Sequence, residues 1–225
     1  VKKSRGKTAI DTYALDAPRV VLASGGLSLP KIASDLAYRT ARELGMSVVA
    51  PSPALVPLTW NNADKAEFAE LSGVAVDCEI SSSGQSFREN LLFTHRGLSG
   101  PAILQASSYW RPGEDVNINL LPEYDVLAWL HQMRQDSGKI LLSNALKGLL
   151  PNRLVEAVID RWFDDQTLGD MSAAQCEQVA RQLQAWRFRP GGTEGYRTAE
   201  VTLGGGGAPT GFSPKPFGAR NYPGQ

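Results

Sequence analysis

The stretch that decides the fold is Arg19-Val20-Val21-Leu22-Ala23-Ser24-Gly25-Gly26-Leu27-Ser28-Leu29-Pro30-Lys31. Its first half is an apolar, β-branched run closed by two glycines. That pattern predicts a parallel-sheet strand over 19–24, buried on both faces and ended by a tight turn. Beyond the turn, Ser34 or Asp35 is placed to cap a helix through Leu36, Thr40, Ala41 and Leu44, with Gly45 to stop it. Strand, glycine turn and helix make one unit of an α/β domain.

Outward from that unit the character changes. Pro51, Pro53 and Pro57 exclude helix, and Val74 to Ile80 alternates like a half-buried strand. The Ser81 to Gln85 turn then leads into a second strand over 86–93, and Val116 to Leu120 alternates again. Short strands at this spacing predict a small antiparallel sheet or barrel. Between 123 and 184 the period becomes helical: Leu154, Val155, Val158, Ile159, Trp162 and Phe163 share one face, and Ser172 with Gln175 reads as a capping box. Strand pattern returns at Ala185 to Phe188 and at Thr198 to Thr202, and the Gly- and Pro-rich tail from Gly204 reads as irregular.

The 23 basic and 23 acidic side chains cancel, so no net field gathers nucleic acid or anionic lipid, and neither is expected as a partner. The local excess at Lys2, Lys3, Arg5 and Lys7 is either a solvated terminus or a phosphate-contacting arm. Cys78 and Cys176 form no C-x-x-C pair, so neither a metal site nor a disulfide is expected and a reducing cytoplasm fits. The apolar runs fall far short of the roughly 20 residues that span a bilayer.

Three segments together carry a family resemblance: the 20–31 stretch, Leu92-Phe93-Thr94-His95-Arg96-Gly97-Leu98-Ser99-Gly100-Pro101-Ala102-Ile103-Leu104, and Ala199-Glu200-Val201-Thr202-Leu203-Gly204-Gly205. In this order and spacing they resemble the YhiN/BaiN-like FAD-dependent flavoproteins, also called the aminoacetone oxidase family. The resemblance runs from about residue 15 to 205. It implies an α/β FAD domain of the glutathione-reductase type, interrupted by a small β-barrel that itself carries a helical subdomain. On that plan 1–50 and the irregular tail 204–225 belong with the FAD domain, 51–122 is the barrel, 123–184 the helical part and 185–203 the return strands. The family's G-x-G-x-x-G phosphate loop is not in the sequence, and past Gly205 the family pattern is lost.

The resemblance implies FAD as cofactor, with NAD(P)H as a candidate hydride donor, and a redox enzyme acting on a small organic substrate. The other reading is a noncatalytic remnant or interaction fragment. Ala23, Ser24, Gly25 and Gly26 would approach the cofactor, since glycine at the carboxyl end of a sheet strand admits a ligand where side chains would not; the alternative is an ordinary strand-to-helix turn. Thr202, Gly204 and Gly205 would run backbone past the flavin ring, or form a plain glycine turn. Thr94, His95, Gly97, Ser99 and Gly100 would line the substrate pocket. His95 is either a proton donor with a pKa near neutrality or a residue bonding its own loop. If it is catalytic, its loop should project toward Gly25-Gly26 and the Thr202 to Gly205 strand end. No G-x-S-x-G elbow surrounds Ser24, which speaks against a hydrolase.

Overall fold

The computed structural model describes residues 16–206. The basic cluster at residues 2–7 and the tail beyond 206 lie outside them. Two bodies of structure emerge: a curled antiparallel sheet with a helical layer, and a smaller ribbon to which the first described residues attach.

The main sheet has seven strands: β2 (Leu58–Thr59), β3 (Ala75–Ser82), β4 (Gln85–Phe93), β5 (Gly97–Ser99), β6 (Val116–Asn119), β7 (Trp186–Phe188) and β8 (Gly192–Thr193). They lie in the order β7-β6-β3-β4-β5-β2-β8, and every pairing is antiparallel. The expected alternation holds in β3, where Val76, Cys78 and Ile80 are buried and their neighbours Ala75, Asp77 and Glu79 exposed. Ser83 (φ 46°) and Gly84 (φ 78°) supply the two left-handed residues that a tight β3–β4 hairpin needs.

The small antiparallel sheet or barrel is present as a curled sheet whose hydrogen-bonded ladder is not closed, β7 and β8 being its edges. Side chains and a backbone bond tie the end of β7 and the link to β8 onto β2 and the residues just after it. The Trp60 ring meets Phe188 edge-on at 5.6 Å, Asn61 Nδ2 donates to the Arg189 carbonyl at 2.8 Å, and Gly191 N donates to the Thr59 carbonyl at 3.0 Å. Trp60, Phe68, Phe93, Trp186 and Phe188 fill the interior of the curl, with Trp162 added from the helical layer. Burying each such ring contributes about 1.5–3 kcal/mol, so these tryptophans are packing residues.

Four of the helices, α4 (Val126–Ser137), α5 (Leu142–Leu146), α6 (Asn152–Trp162) and α7 (Ala173–Gln184), follow one another between β6 and β7. The Asp125 carboxylate caps α4 by accepting from Ala128 N, and the Ser172/Gln175 capping box opens α7. Val126 and Leu130 of α4 and Val179 and Leu183 of α7 join the same core as the sheet. Among the described residues no helix is long and apolar enough to cross a membrane. Two shorter helices, α2 (Asn62–Phe68) and α3 (Pro101–Ser107), pack on the sheet.

The smaller ribbon pairs β1 (Val48–Ala54) with β9 (Val201–Gly206) antiparallel, and α1 (Leu36–Glu43) lies against it. Gly45 stops α1 as expected. At φ 75° its N–H reaches the Arg42 carbonyl while Met46 N reaches that of Ala41, the paired bonds of a Schellman end. β9 carries the ordered chain through Gly204 and Gly205, where an irregular tail was expected. The strand expected over 19–24 is absent, with Val20 and Val21 78% and 86% exposed. The physical reason is pairing: a strand forms where neighbours take up its backbone groups, and no described strand pairs with this segment.

Candidate functional site

The Gly25-Gly26 turn and β9 meet although about 175 residues separate them. A single hydroxyl joins them: Thr202 Oγ1 accepts from Leu27 N at 2.8 Å and Ser28 N at 3.0 Å, and lies 3.1 Å from Ser28 Oγ. Gly26 makes the approach possible, since a Cβ there would sit 2.7 Å from the same hydroxyl. On the other side, Ser24 Oγ accepts from Ala37 N at 3.3 Å in the first turn of α1, and Ser34 N donates to the Gly26 carbonyl. The turn is thereby fixed to both helix and ribbon.

These residues border a cleft of about 380 Å³ lined by Ser24, Gly25, Gly26, Ser28, Leu29, Ile32, Tyr38, Glu200, Val201 and Thr202. Gly25 has φ 75°, and a Cβ on it would meet nothing within 4 Å, so its backbone faces open space. Leu29 at the cleft's lip also has a left-handed backbone, φ 60°, which costs a branched residue about 1–2 kcal/mol. Gly204 and Gly205 take positive φ at the bulged end of the ribbon, where a Cβ on Gly204 would strike the Ala50 carbonyl at 2.7 Å. Tyr38 and Ser28 escaped the sequence reading. An isolated tyrosine inside an ordinary helical pattern carries no signal, and only the fold turns it toward the cleft.

The Thr94 to Gly100 loop sits elsewhere. It is the hairpin between β4 and β5, held by Thr94: its amide and hydroxyl both donate to the Gly97 carbonyl, and the hydroxyl accepts from Arg96 N and Gly97 N. Trp60 Nε1 donates to the Thr94 carbonyl at 3.0 Å. The glycines answer close packing: a Cβ on Gly97 would overlap the Leu58 carbonyl of β2, and one on Gly100 (φ 88°) would lie 2.5 Å from the Asn90 carbonyl of β4. His95 is exposed at the turn. None of the residues lining the Gly25–Thr202 cleft comes from this loop, so His95 is not among the groups that the structure brings together there. A β4–β5 turn is bound to β2, and its direction follows the sheet rather than the ribbon.

Burial, with help from the Asp77 charge, pushes the Cys78 thiol up to about 12. Asp115 accepts from Arg189 and Arg187, and these partners hold its carboxyl below the usual range. Among the described residues no group of three or more His, Cys, Asp or Glu could hold a metal ion.

Residues 52–201 match the family described as HI0933-like protein barrel and H2TH domain, and the chain belongs to that family. This family sits within the YhiN/HI0933 flavoprotein superfamily, which is the level at which the sequence resemblance holds. Among curated proteins, the chain is 46% identical over 190 residues to a ribosomal RNA dihydrouridine synthase of Escherichia coli K12, covering 83% of this chain and 48% of the relative. It is 43% identical over 189 residues to a protein of the same name from Haemophilus influenzae, covering 83% and 47%. The chain thus spans about half the length of the curated relatives it matches. Their name overturns the expectation that nucleic acid is not a partner and the small organic substrate that went with it. Net charge is a sum over the whole chain, and a zero sum says nothing of how charge is distributed over one face.

Proposed function

We propose that the chain is part of a flavin-dependent reductase that converts uridine to dihydrouridine in ribosomal RNA. The observation that carries this reading is the 46% identity over 190 residues to a protein named for that reaction. Dihydrouridine is uridine with its C5–C6 double bond saturated, so the conversion adds a hydride to one carbon and a proton to the other. Bound FAD would supply the hydride chemistry, with NAD(P)H as the source of electrons.

The lining of the Gly25–Thr202 cleft supports the flavin part. It combines glycine backbone open to the cleft, the hydroxyls of Ser24, Ser28, Tyr38 and Thr202, and the apolar Leu29, Ile32 and Val201. That mixture suits the edge of an uncharged, amphipathic ring. The Glu200 carboxylate in the lining disfavours a pyrophosphate. In this reading residues 24–28 and 202–205 hold and orient the ring end of the cofactor. His95 is not assigned the proton transfer, since it stands on the β4–β5 turn and does not line this cleft.

The test uses the full-length protein. Purified enzyme should release flavin on denaturation. With NAD(P)H it should add two hydrogens per modified uridine to ribosomal RNA prepared from cells lacking the enzyme, read by mass spectrometry of the digested RNA. Flavin-loaded enzyme that leaves such RNA unmodified would sink the RNA reading, and protein purified with no flavin and no flavin affinity would sink the cofactor reading.

A further inference from the structure

A second cleft, of about 750 Å³, lies where the ribbon meets the curled sheet, and its size falls in the roughly 300–1,000 Å³ range of ligand sites. Leu203 lines it, whereas Thr202, its neighbour along β9, lines the Gly25–Thr202 cleft. Successive side chains of a strand point to opposite faces, so one strand is the shared wall of both clefts.

The electrostatics of this second cleft differ from the rest of the molecule. Arg111 lines it and no aspartate or glutamate does. The clefts on the helical side, by contrast, carry more carboxylates than cations: Asp160 and Asp164 with Arg161 in one, and Glu67, Glu70, Glu156 and Asp160 with Arg153 and Arg161 in the other. Of the carboxylates next in sequence to Arg111, Asp115 is neutralised by Arg187 and Arg189, while that of Glu114 sits at the cleft edge, accepting from the lining Ser83 Oγ at 2.9 Å, and leaves Arg111 as the cleft's cation. Arg111 itself is exposed and makes no ion pair among the described residues. Beside it Tyr109 is 45% exposed and braced, its ring 5.6 Å from that of Phe87 and its carbonyl accepting from Ser83 Oγ at 3.0 Å. Trp110, between them, is buried with its indole N–H donating to the Glu114 carbonyl, so Tyr109 is the aromatic face left for a ligand.

We infer that this cleft is the track for an unpaired stretch of the RNA substrate, with a base stacked on Tyr109 and a neighbouring phosphate on Arg111. A fixed aromatic face beside an unpaired guanidinium is the pairing that single strands use, stacking for the base and charge for the backbone. The inference rests on the RNA reading proposed above and adds where the strand lies: across β9 from the Gly25–Thr202 cleft.

The test is binding of a labelled, uridine-rich single-stranded RNA 12-mer to the full-length protein by fluorescence anisotropy across a salt series. Arg111→Glu should weaken binding at least ten-fold and flatten the salt dependence by about one unit of slope. Tyr109→Ala should weaken it about 5- to 150-fold, the usual range for one lost stack, with Tyr109→Phe close to wild type. Arg111 is exposed, so its variant folds, and unchanged flavin content and thermal midpoint check this for all three. If wild type binds the RNA and both Arg111→Glu and Tyr109→Ala bind within two-fold of it, the track lies elsewhere while the RNA reading stands. If wild type does not bind RNA at any salt concentration, the reading and the track fall together.

Discussion

Thr202 shows how much one hydroxyl can carry. It accepts from two consecutive backbone amides and lies 3.1 Å from the Ser28 hydroxyl, which can donate to it or accept from it, in a partly buried place. Valine has nearly the same shape but no acceptor, so Thr202→Val would leave Leu27 N and Ser28 N without their partner, at a cost of about 1–3 kcal/mol. That cost falls on the turn rather than on the main core. In the full-length protein the expected result is flavin affinity at least ten-fold weaker with the main thermal transition little moved, and Thr202→Ser restoring most of the affinity. Flavin retained within two-fold of wild type on dilution and gel filtration would show that the clasp does not shape the cofactor site. Gly97 is the contrasting residue. It looked like part of a pocket in sequence, yet its missing side chain makes room for the Leu58 carbonyl.

At the scale of elements, local signals were legible and long-range ones were not. The α7 capping box was readable because both of its partners lie within three residues, and the structure has Gln175 N donating to Ser172 Oγ and Ser172 N to Gln175 Oε1. Ser172→Ala should therefore destabilise the helical layer by about 1 kcal/mol, visible as a lower denaturant midpoint with an unchanged slope. A midpoint equal to that of wild type would mean that tertiary packing alone fixes the start of α7. The strands β3 and β4 were readable for a similar reason, since their alternation and their hairpin residues are contiguous. The 19–24 run shows the opposite case: apolar composition records what a segment could bury, but whether it becomes a strand depends on neighbours that composition does not name. The open ladder of the sheet was equally hidden, because edge strands β7 and β8 are three and two residues long and pair with β6 and β2, which lie far away in sequence. The Gly25–Thr202 cleft was half legible. Its glycine turn and strand end stood out, whereas Tyr38 and the second cleft's Tyr109 and Arg111 gave no pattern.

Across the whole molecule, burial is unevenly shared. The core runs without a break from Leu58 to Phe188 and takes in both the curled sheet and the helical layer. By contrast most of the exposed large apolar side chains, among them Val20, Val21, Leu29, Ile32, Leu44, Val49, Val201 and Leu203, belong to the ribbon and the segments around it, against Tyr109, Tyr124, Ile140 and Leu141 in the main body. Local stability follows local burial, because opening a region costs the contacts that it breaks. Amides paired between β3 and β4, whose side chains Val76, Cys78, Ile80, Leu91 and Phe93 are buried, should exchange with solvent hydrogen only on global unfolding. Amides of residues 19–26, which lie in no strand or helix, should exchange orders of magnitude faster, while Leu27 N and Ser28 N, bonded to Thr202, should fall between the two. Hydrogen exchange followed by mass spectrometry resolves these three classes. Equal protection of 19–26 and of β3–β4 would show that stability does not track burial in this chain. In the Thr202→Val variant the intermediate class should merge with the fast one and leave β3–β4 untouched, tying the clasp at the cleft to the stability of the turn it holds.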